Sequence, residues 1–459
     1  MNEVLDWLGT RNDDPLDDLI PLRRHLYTVI SADLQARALL RLLDLFEPRI
    51  ARLHALVFPM LLDAQRPLPR NLHVLAQSLA DLHGLLTDGL IEVGLQMADT
   101  GLQRPRKDQD VLPERAFQSL HRQYELALRY GSGTPASFWG QLNQLVVRHL
   151  ADDTPKATLK LLLAMHAAQP ETLTAKEQAF LWRHTALFAA QVEITTHAPQ
   201  ETSAWLWADG EDGRAPTPSI RRAPPSADGL FFYHCRVLGT HAQNSLNDFS
   251  IPQEWRSALH HAARRWLNPP ARRHPRQRGS YRIEICPRLS TLWGLLNNDL
   301  DAHAASHVIS EWQVLNDSPA GYAAMHIAGG IPTLQAGSVI GIRRHDKMPW
   351  SLCTVRWTRS DNAEHFEIGL EVLASHAQAV RVAVSSRAAP LPALLLPPIS
   401  GINRGEALLA EQGIHAAGTL TLLQEESGRL QIVECKPLPI ITQTDGIELF
   451  EFERGPHAG

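Results

Sequence analysis

Two short groups of residues have the types and spacing to hold an anion: Arg272-Arg273-x-x-Arg276 and, further along the chain, Asn316-x-Ser318-x-x-Gly321. A guanidinium is flat, permanently charged and able both to stack and to pair through a two-pronged edge with phosphate, which a lysine ammonium cannot do. Glycine permits close backbone approach, and Asn and Ser carry short hydrogen-bonding groups. The arginine pair alone says little: with 38 arginines among 459 residues, Arg-x-x-x-Arg is expected roughly three times by chance and occurs at 37/41, 66/70, 272/276 and 278/282. Asx-x-Ser-x-x-Gly is expected on the order of a tenth of a time and occurs once.

The elements that must position these groups follow from periodicity. From residue 15 to 197, stretches such as "LQARALLRLLDLFEPRIARLHALVFPMLL" repeat apolar residues at helical spacing and predict a bundle or irregular stack of helices, with Pro59 kinking or ending one of them. Residues 198–228 are rich in Pro, Gly, Asp and Glu and predict a linker. Within 229–269, "LFFYHCRVL" predicts a strand and "QEWRSALHHAARRWL" a helix with Trp255, Leu259, Ala262 and Trp266 on one face. Pro269 and Pro270 then stop the helix just before the arginines. Short strands separated by Gly, Asp or Asn fill 270–379 and predict a small closed or nearly closed β-barrel, which removes exposed strand edges. Residues 380–459 continue in short strands and predict a further small β unit. The fold class is therefore α+β: an N-terminal all-α bundle followed by a β-barrel and a second β unit.

The order of arginine arm, strand, Asn-x-Ser-x-x-Gly corner and then "LQAGSVIGIR", "WSLCTVRW" and "FEIGLEVL" resembles the PilZ domain family over residues 270–375. The resemblance implies a six-stranded barrel acting as a bacterial receptor for cyclic di-GMP. It puts Arg272 and Arg276 on phosphate and guanine, Asn316 and Ser318 on the guanine edge, and Gly321 at the tight approach. Arg273, Arg278 or Arg282 can shift the register of the arginine pair, and Asn stands at 316 where the family more often has Asp. The chemistry suits such a ligand, because arginine can stack on a base and also pair with guanine O6 and N7.

Composition bounds the alternatives. A formal charge of -5 gives no global attraction to nucleic acid or anionic membrane. Cys235, Cys286, Cys353 and Cys435 are scattered and predict buried thiols in a reducing compartment. The acidic start "MNEVLDWLGTRNDDPLDDL" is unlike a signal peptide, so a cytoplasmic protein without membrane insertion is expected. His303 and His307 beside Asp299 and Asp301 form at most half a metal site, and no metal is expected. Glu406-Ala407-Leu408 echoes a cyclic di-GMP phosphodiesterase signature by coincidence, and Trp350 and Trp357 are expected to pack the barrel. The corner also fits ordinary hairpin chemistry, and the arm also fits a solvated charge run or a patch for an acidic partner. No catalytic constellation appears, so an enzyme is not expected. The reading is a receptor binding cyclic di-GMP with no other cofactor, no DNA or RNA partner, and an unknown protein partner reached through the helical domain. The alternative is an interaction scaffold that has lost nucleotide binding.

Overall fold

Among the described residues, the periodic N-terminal stretches form the helices α1 (Asn2–Gly9), α2 (Leu19–Ile30), α3 (Ala36–Leu62), α4 (Arg70–Asp99), α5 (Val111–Tyr130), α6 (Ala136–His149), α7 (Ala157–Ala168) and α8 (Ala175–Ala186). The computed structural model describes residues 2–10, 14–62, 64–99, 111–131, 133–149, 157–200, 204–226, 228–247, 251–269, 274–300, 307–345, 348–362, 365–384, 389–399, 404–426, 429–443 and 446–455. Pro48 and Pro59 both lie inside α3, so neither ends it. Apolar residues at helical spacing, among them Leu39, Leu43, Phe46, Ile50, Leu53 and Val57, turn one face of α3 into the core, which supplies the packing that tolerates the lost backbone bonds. At α8, Thr174 and Glu177 form a reciprocal cap.

The stretch predicted as a linker carries structure of its own. Strands β1 (Glu193–Thr195), β2 (Leu206–Asp209), β3 (Thr217–Pro218) and β4 (Leu230–His234) form one small sheet in the order β1-β4-β2-β3. The polar and Pro-rich loops between them hide the pattern, while Leu206, Ala208, Phe231 and Tyr233 enter the same core as the bundle. Helices α9 (Arg236–Ser245) and α10 (Gln253–Leu267) complete this unit. Trp266 is fully buried and its indole N–H donates to the Ala164 carbonyl of α7 at 2.8 Å, locking α10 to the bundle.

The chain then forms two barrels. The first contains β5 (Gln277–Arg278), β6 (Arg282–Cys286), β7 (Ser310–Ser318), β8 (Gly321–Ala328), β9 (Val339–Arg343), β10 (Ser351–Asn362) and β11 (His365–Ala374). Six of them close in the ring β6-β7-β8-β11-β10-β9, and β5 adds to the end of β7. Alternate residues point inward, as in Ile283 and Ile285, Trp312 and Val314, Cys353 and Val355, and Phe366, Ile368 and Leu370. The second barrel contains β12 (Gln378–Ala383), β13 (Leu391–Leu396), β14 (Ala407–Glu411), β15 (Leu420–Glu426), β16 (Arg429–Gln443) and β17 (Ile447–Arg454), closed in the ring β12-β13-β14-β17-β16-β15. The two rings have the same order: first, second, third, sixth, fifth and fourth strand.

Helix α11 (Leu289–Leu296) sits between the barrels. Trp293 donates to the Val380 carbonyl at 2.7 Å, with the Arg381 guanidinium 4.6 Å from its ring centre. Leu394, Leu396 and Leu409 face this seam while Ala393, Leu395 and Leu408 face the second barrel's interior, which is why β13 and β14 read as continuous apolar runs. Trp350 also packs into the seam. All four cysteines are free and buried.

The helical unit meets the first barrel through polar contacts. Arg66, between α3 and α4, donates to Thr358 Oγ1 on β10 at 3.2 Å, to the Arg129 carbonyl at 3.2 Å and to the Leu128 carbonyl. The backbone N–H of Ser360 donates to the Gly131 carbonyl at 2.9 Å, and that of Leu334 to the Arg66 carbonyl at 3.3 Å. Burial, with Arg129 nearby, lowers the Arg66 guanidinium to about 10.

Candidate functional site

The corner is the β7–β8 hairpin. Ser318 and Gly321 pair across a two-residue turn of Pro319 and Ala320, and Ser318 Oγ lies 3.4 Å from the Gly321 carbonyl oxygen. A bulge in β7 decides which way its side chains point. Val314 pairs with Ala324, but the next pair is Asn316 with Ala323, leaving Leu315 as the extra residue. Partners across an antiparallel pair share a face and neighbours along a strand do not. Asn316 and Ser318 therefore stand on the outside of the barrel, although uninterrupted spacing from Trp312 and Val314 would have put them inside.

Gly321 is fixed by the fold itself. It pairs with Glu371 of β11, and a Cβ at 321 would lie 3.0 Å from the Leu370 carbonyl carbon and closer still to its oxygen. The close approach glycine allows here is that of one strand to another. Across the same outer face, pairing aligns Asn316, Ala323, Gly369 and Trp357 in one row. The half-buried Trp357 indole occupies the space a side chain at 369 would need, so Trp357 covers the outside of the barrel instead of filling it.

The arm reaches this surface. Gln277 pairs with Asp317 and Arg278 with Asn316, and Arg276 Nη1 donates to Asn316 Oδ1 at 2.8 Å. Arg272 and Arg273 lie outside the described residues. Arg282 is engaged elsewhere, 3.3 Å from Glu311.

Three residues that periodicity did not single out also belong to the corner. Tyr281 donates its hydroxyl to Asp317 Oδ2 at 2.7 Å, and burial together with this bond pushes that hydroxyl up to about 12. Arg344 stacks on the Tyr281 ring at 4.4 Å and donates to its hydroxyl oxygen at 3.2 Å. The signal for Arg344 was the Arg343-Arg344 pair ending a strand, but only the barrel ring brings β9 round to the corner.

Of the residues considered for a metal, His303 and Asp301 lie outside the described residues, while Asp299 accepts from Asn297 at 2.7 Å. Among the described residues no group of His, Cys, Asp or Glu has the arrangement of a metal site. Glu406 is paired with Arg454 at 2.8 Å.

A family model described as the middle PilZ domain of the cyclic-di-GMP receptor FimW matches residues 294–379. The first barrel is a PilZ domain. A second model, the N-terminal domain of the same receptor, matches residues 2–200. The match to the PilZ domain begins within α11, so the arginine arm precedes it. A relative, the cyclic-di-GMP receptor FimW of Pseudomonas aeruginosa, is 28% identical over 140 residues, covering 28% of this chain and 22% of that protein. The chain thus matches about a fifth of the relative's length. Among the described residues, no helix is long and apolar enough to cross a membrane.

Proposed function

We propose that this protein is a cytoplasmic receptor for cyclic di-GMP, a binding protein with no catalytic role. The arm (Arg272, Arg273, Arg276) and the corner (Asn316, Ser318, Gly321) hold the dinucleotide on the outside of the PilZ barrel. The helical unit passes the bound state to a protein partner, and the ligand needs no additional cofactor. The observation that carries this reading is the 2.8 Å bond between Arg276 and Asn316, which joins two motifs separated in sequence. The receptor named in the family descriptions and in the Pseudomonas relative is consistent with it.

Magnitudes call for the groups to act together. Base stacking contributes about 1–3 kcal/mol and a forked Arg–guanine contact a similar amount, whereas micromolar affinity needs about 8 kcal/mol. Arg276 and Asn316 are already aligned, so less order has to be created on binding.

Calorimetric titration of the intact protein with cyclic di-GMP tests the reading, beside an Arg272→Ala/Arg276→Ala variant. Micromolar or tighter binding that disappears in the variant is expected. Equal binding by both places the ligand elsewhere, and no binding by either leaves an interaction scaffold.

A further inference from the structure

Outside the arm and corner, the junction between α10 and the outer face of the PilZ barrel holds an excess of guanidinium groups. From the helical unit come Arg264 and Arg265 of α10, and the 3-10 turn Pro170–Thr172 brings Glu171. From the barrel come Arg356, the extra residue of a bulge in β10, and Glu371 of β11. Arg356 Nε lies 3.4 Å from Glu371 Oε2, and Glu371 is the residue paired with Gly321 at the corner.

The neighbours acting electrostatically on Arg265 are Arg356, Arg264, Glu171 and Glu371. Three cations thus face two carboxylates. Arg265 Nε is buried with no hydrogen-bond partner, an arrangement that costs stability unless an acceptor is supplied. The positive field is felt by His261, one turn earlier on α10, which burial and then Arg265 and Arg356 lower to about 3. The neutral imidazole stays within 2.9 Å of the Ala168 carbonyl and 3.0 Å of Thr172 Oγ1, fixing α10 against the turn that carries Glu171. Glu171 is exposed at this junction, where desolvation raises its carboxyl while the Arg265 guanidinium favours its charged form.

Chain connectivity ties this junction to the corner. α10 ends at Leu267, and the chain is back beside Asn316 by Gln277–Arg278. The arm therefore starts at Arg265's helix and finishes at the corner. The geometry points to Arg265, with Arg356 across the junction, as a phosphate-binding pair that lets an anionic ligand on the corner bridge the barrel and the helical unit. This inference rests on the proposed dinucleotide site and adds a contribution from outside the PilZ domain.

The test compares the intact protein with Arg265→Gln and Arg356→Gln variants in calorimetric titrations with cyclic di-GMP, and follows amide hydrogen exchange over residues 170–173 and 258–267. Each variant is expected to bind roughly tenfold or more weakly, as for loss of a charged hydrogen bond. Ligand should slow exchange at α10 in the parent protein and not in Arg265→Gln. Parent-like affinity in both variants with no ligand-dependent protection at α10 overturns the inference and leaves the barrel site standing. No binding by the parent removes the barrel site and the inference together. If circular dichroism shows that Arg265→Gln does not fold, Arg356→Gln on the barrel side decides by the same two readouts.

Discussion

Replacing Gly321 by alanine separates the demands of the fold from those of a ligand. The added Cβ would lie 3.0 Å from the Leu370 carbonyl carbon, 3.3 Å from Glu371 Cα and nearest of all to the Leu370 oxygen. All three are backbone atoms, so no rotamer change relieves the clash. β8 must move away from β11, stretching the ladder that pairs Gly321 with Glu371 and Tyr322 with Leu370, and with it the 3.0 Å bond from Val372 N–H to the Ala320 carbonyl. Forcing a methyl into a packed site costs about 1–3 kcal/mol, and an unyielding backbone puts this case near the top, about 3 kcal/mol. For a domain of the barrel's size this lowers the transition midpoint by roughly 10 °C or more. Gly330 supplies the control, because a Cβ there meets nothing within 4 Å. Calorimetric melting of Gly321→Ala and Gly330→Ala without ligand is the assay. A Gly321→Ala protein that melts with the parent would refute the strand-contact argument and return Gly321 to a role in ligand approach alone.

Two further outcomes are expected. Arg66→Met removes the donor from Thr358 Oγ1 and from the Leu128 and Arg129 carbonyls; at about 1–3 kcal/mol for each buried acceptor left unpaired, the loss is about 3 kcal/mol, of which the Thr358 share falls on the junction and the rest on the helical unit. Scanning calorimetry should then resolve the helical and barrel transitions, and one transition at the parent temperature would contradict this. Acid should loosen the helical unit first. Burial holds His54, His121 and His166 at about 4 against an ordinary 6.5, so their neutral forms contribute stability above pH 6.5 that is lost as pH falls toward 4. Glu125, raised by burial to about 7 from 4.5, acts in the opposite sense between those values. At pH 5.5 the three histidines cost about 4 kcal/mol and Glu125 returns about 2. A denaturation midpoint of the helical signal that holds or rises from pH 7.5 to 5.5 would defeat that balance.

Helical periodicity made the bundle legible, and a succession of short strands separated by Gly, Asp or Asn announced the first barrel, whose inward positions include Ile283/Ile285 and Phe366/Ile368/Leu370. Of the sheet within 193–234, β4 was legible in "LFFYH", while β1, β2 and β3 were hidden because they are short and lie among the Pro and Gly that signal linkers. β13 and β14 lost their alternation because both faces are covered, one by the barrel interior and one by α11 and the neighbouring barrel. At the site, Arg276 and Asn316 could be named because their spacing is a motif. Arg344 and Arg265 could not, since tertiary closure places each: the ring of strands brings Arg344 to the corner, and the docking of α10 brings Arg265 to Arg356 and Glu371 at the barrel junction.

Two neighbouring barrels wound in one order pose a kinetic problem. A hairpin from either could be offered to the other's open edge during folding, the hazard of tandem arrays built on a shared topology. Here the strands are poor substitutes for one another: β7 carries a bulge and a bulky Trp312, whereas β13 is a leucine run with both sides occupied. Trp293, donating to the Val380 carbonyl, ties α11 of the first barrel to β12 of the second in the native arrangement. Divergence between the barrels therefore protects assembly, and any engineering that made their sequences converge would favour exchanged hairpins over the native pair.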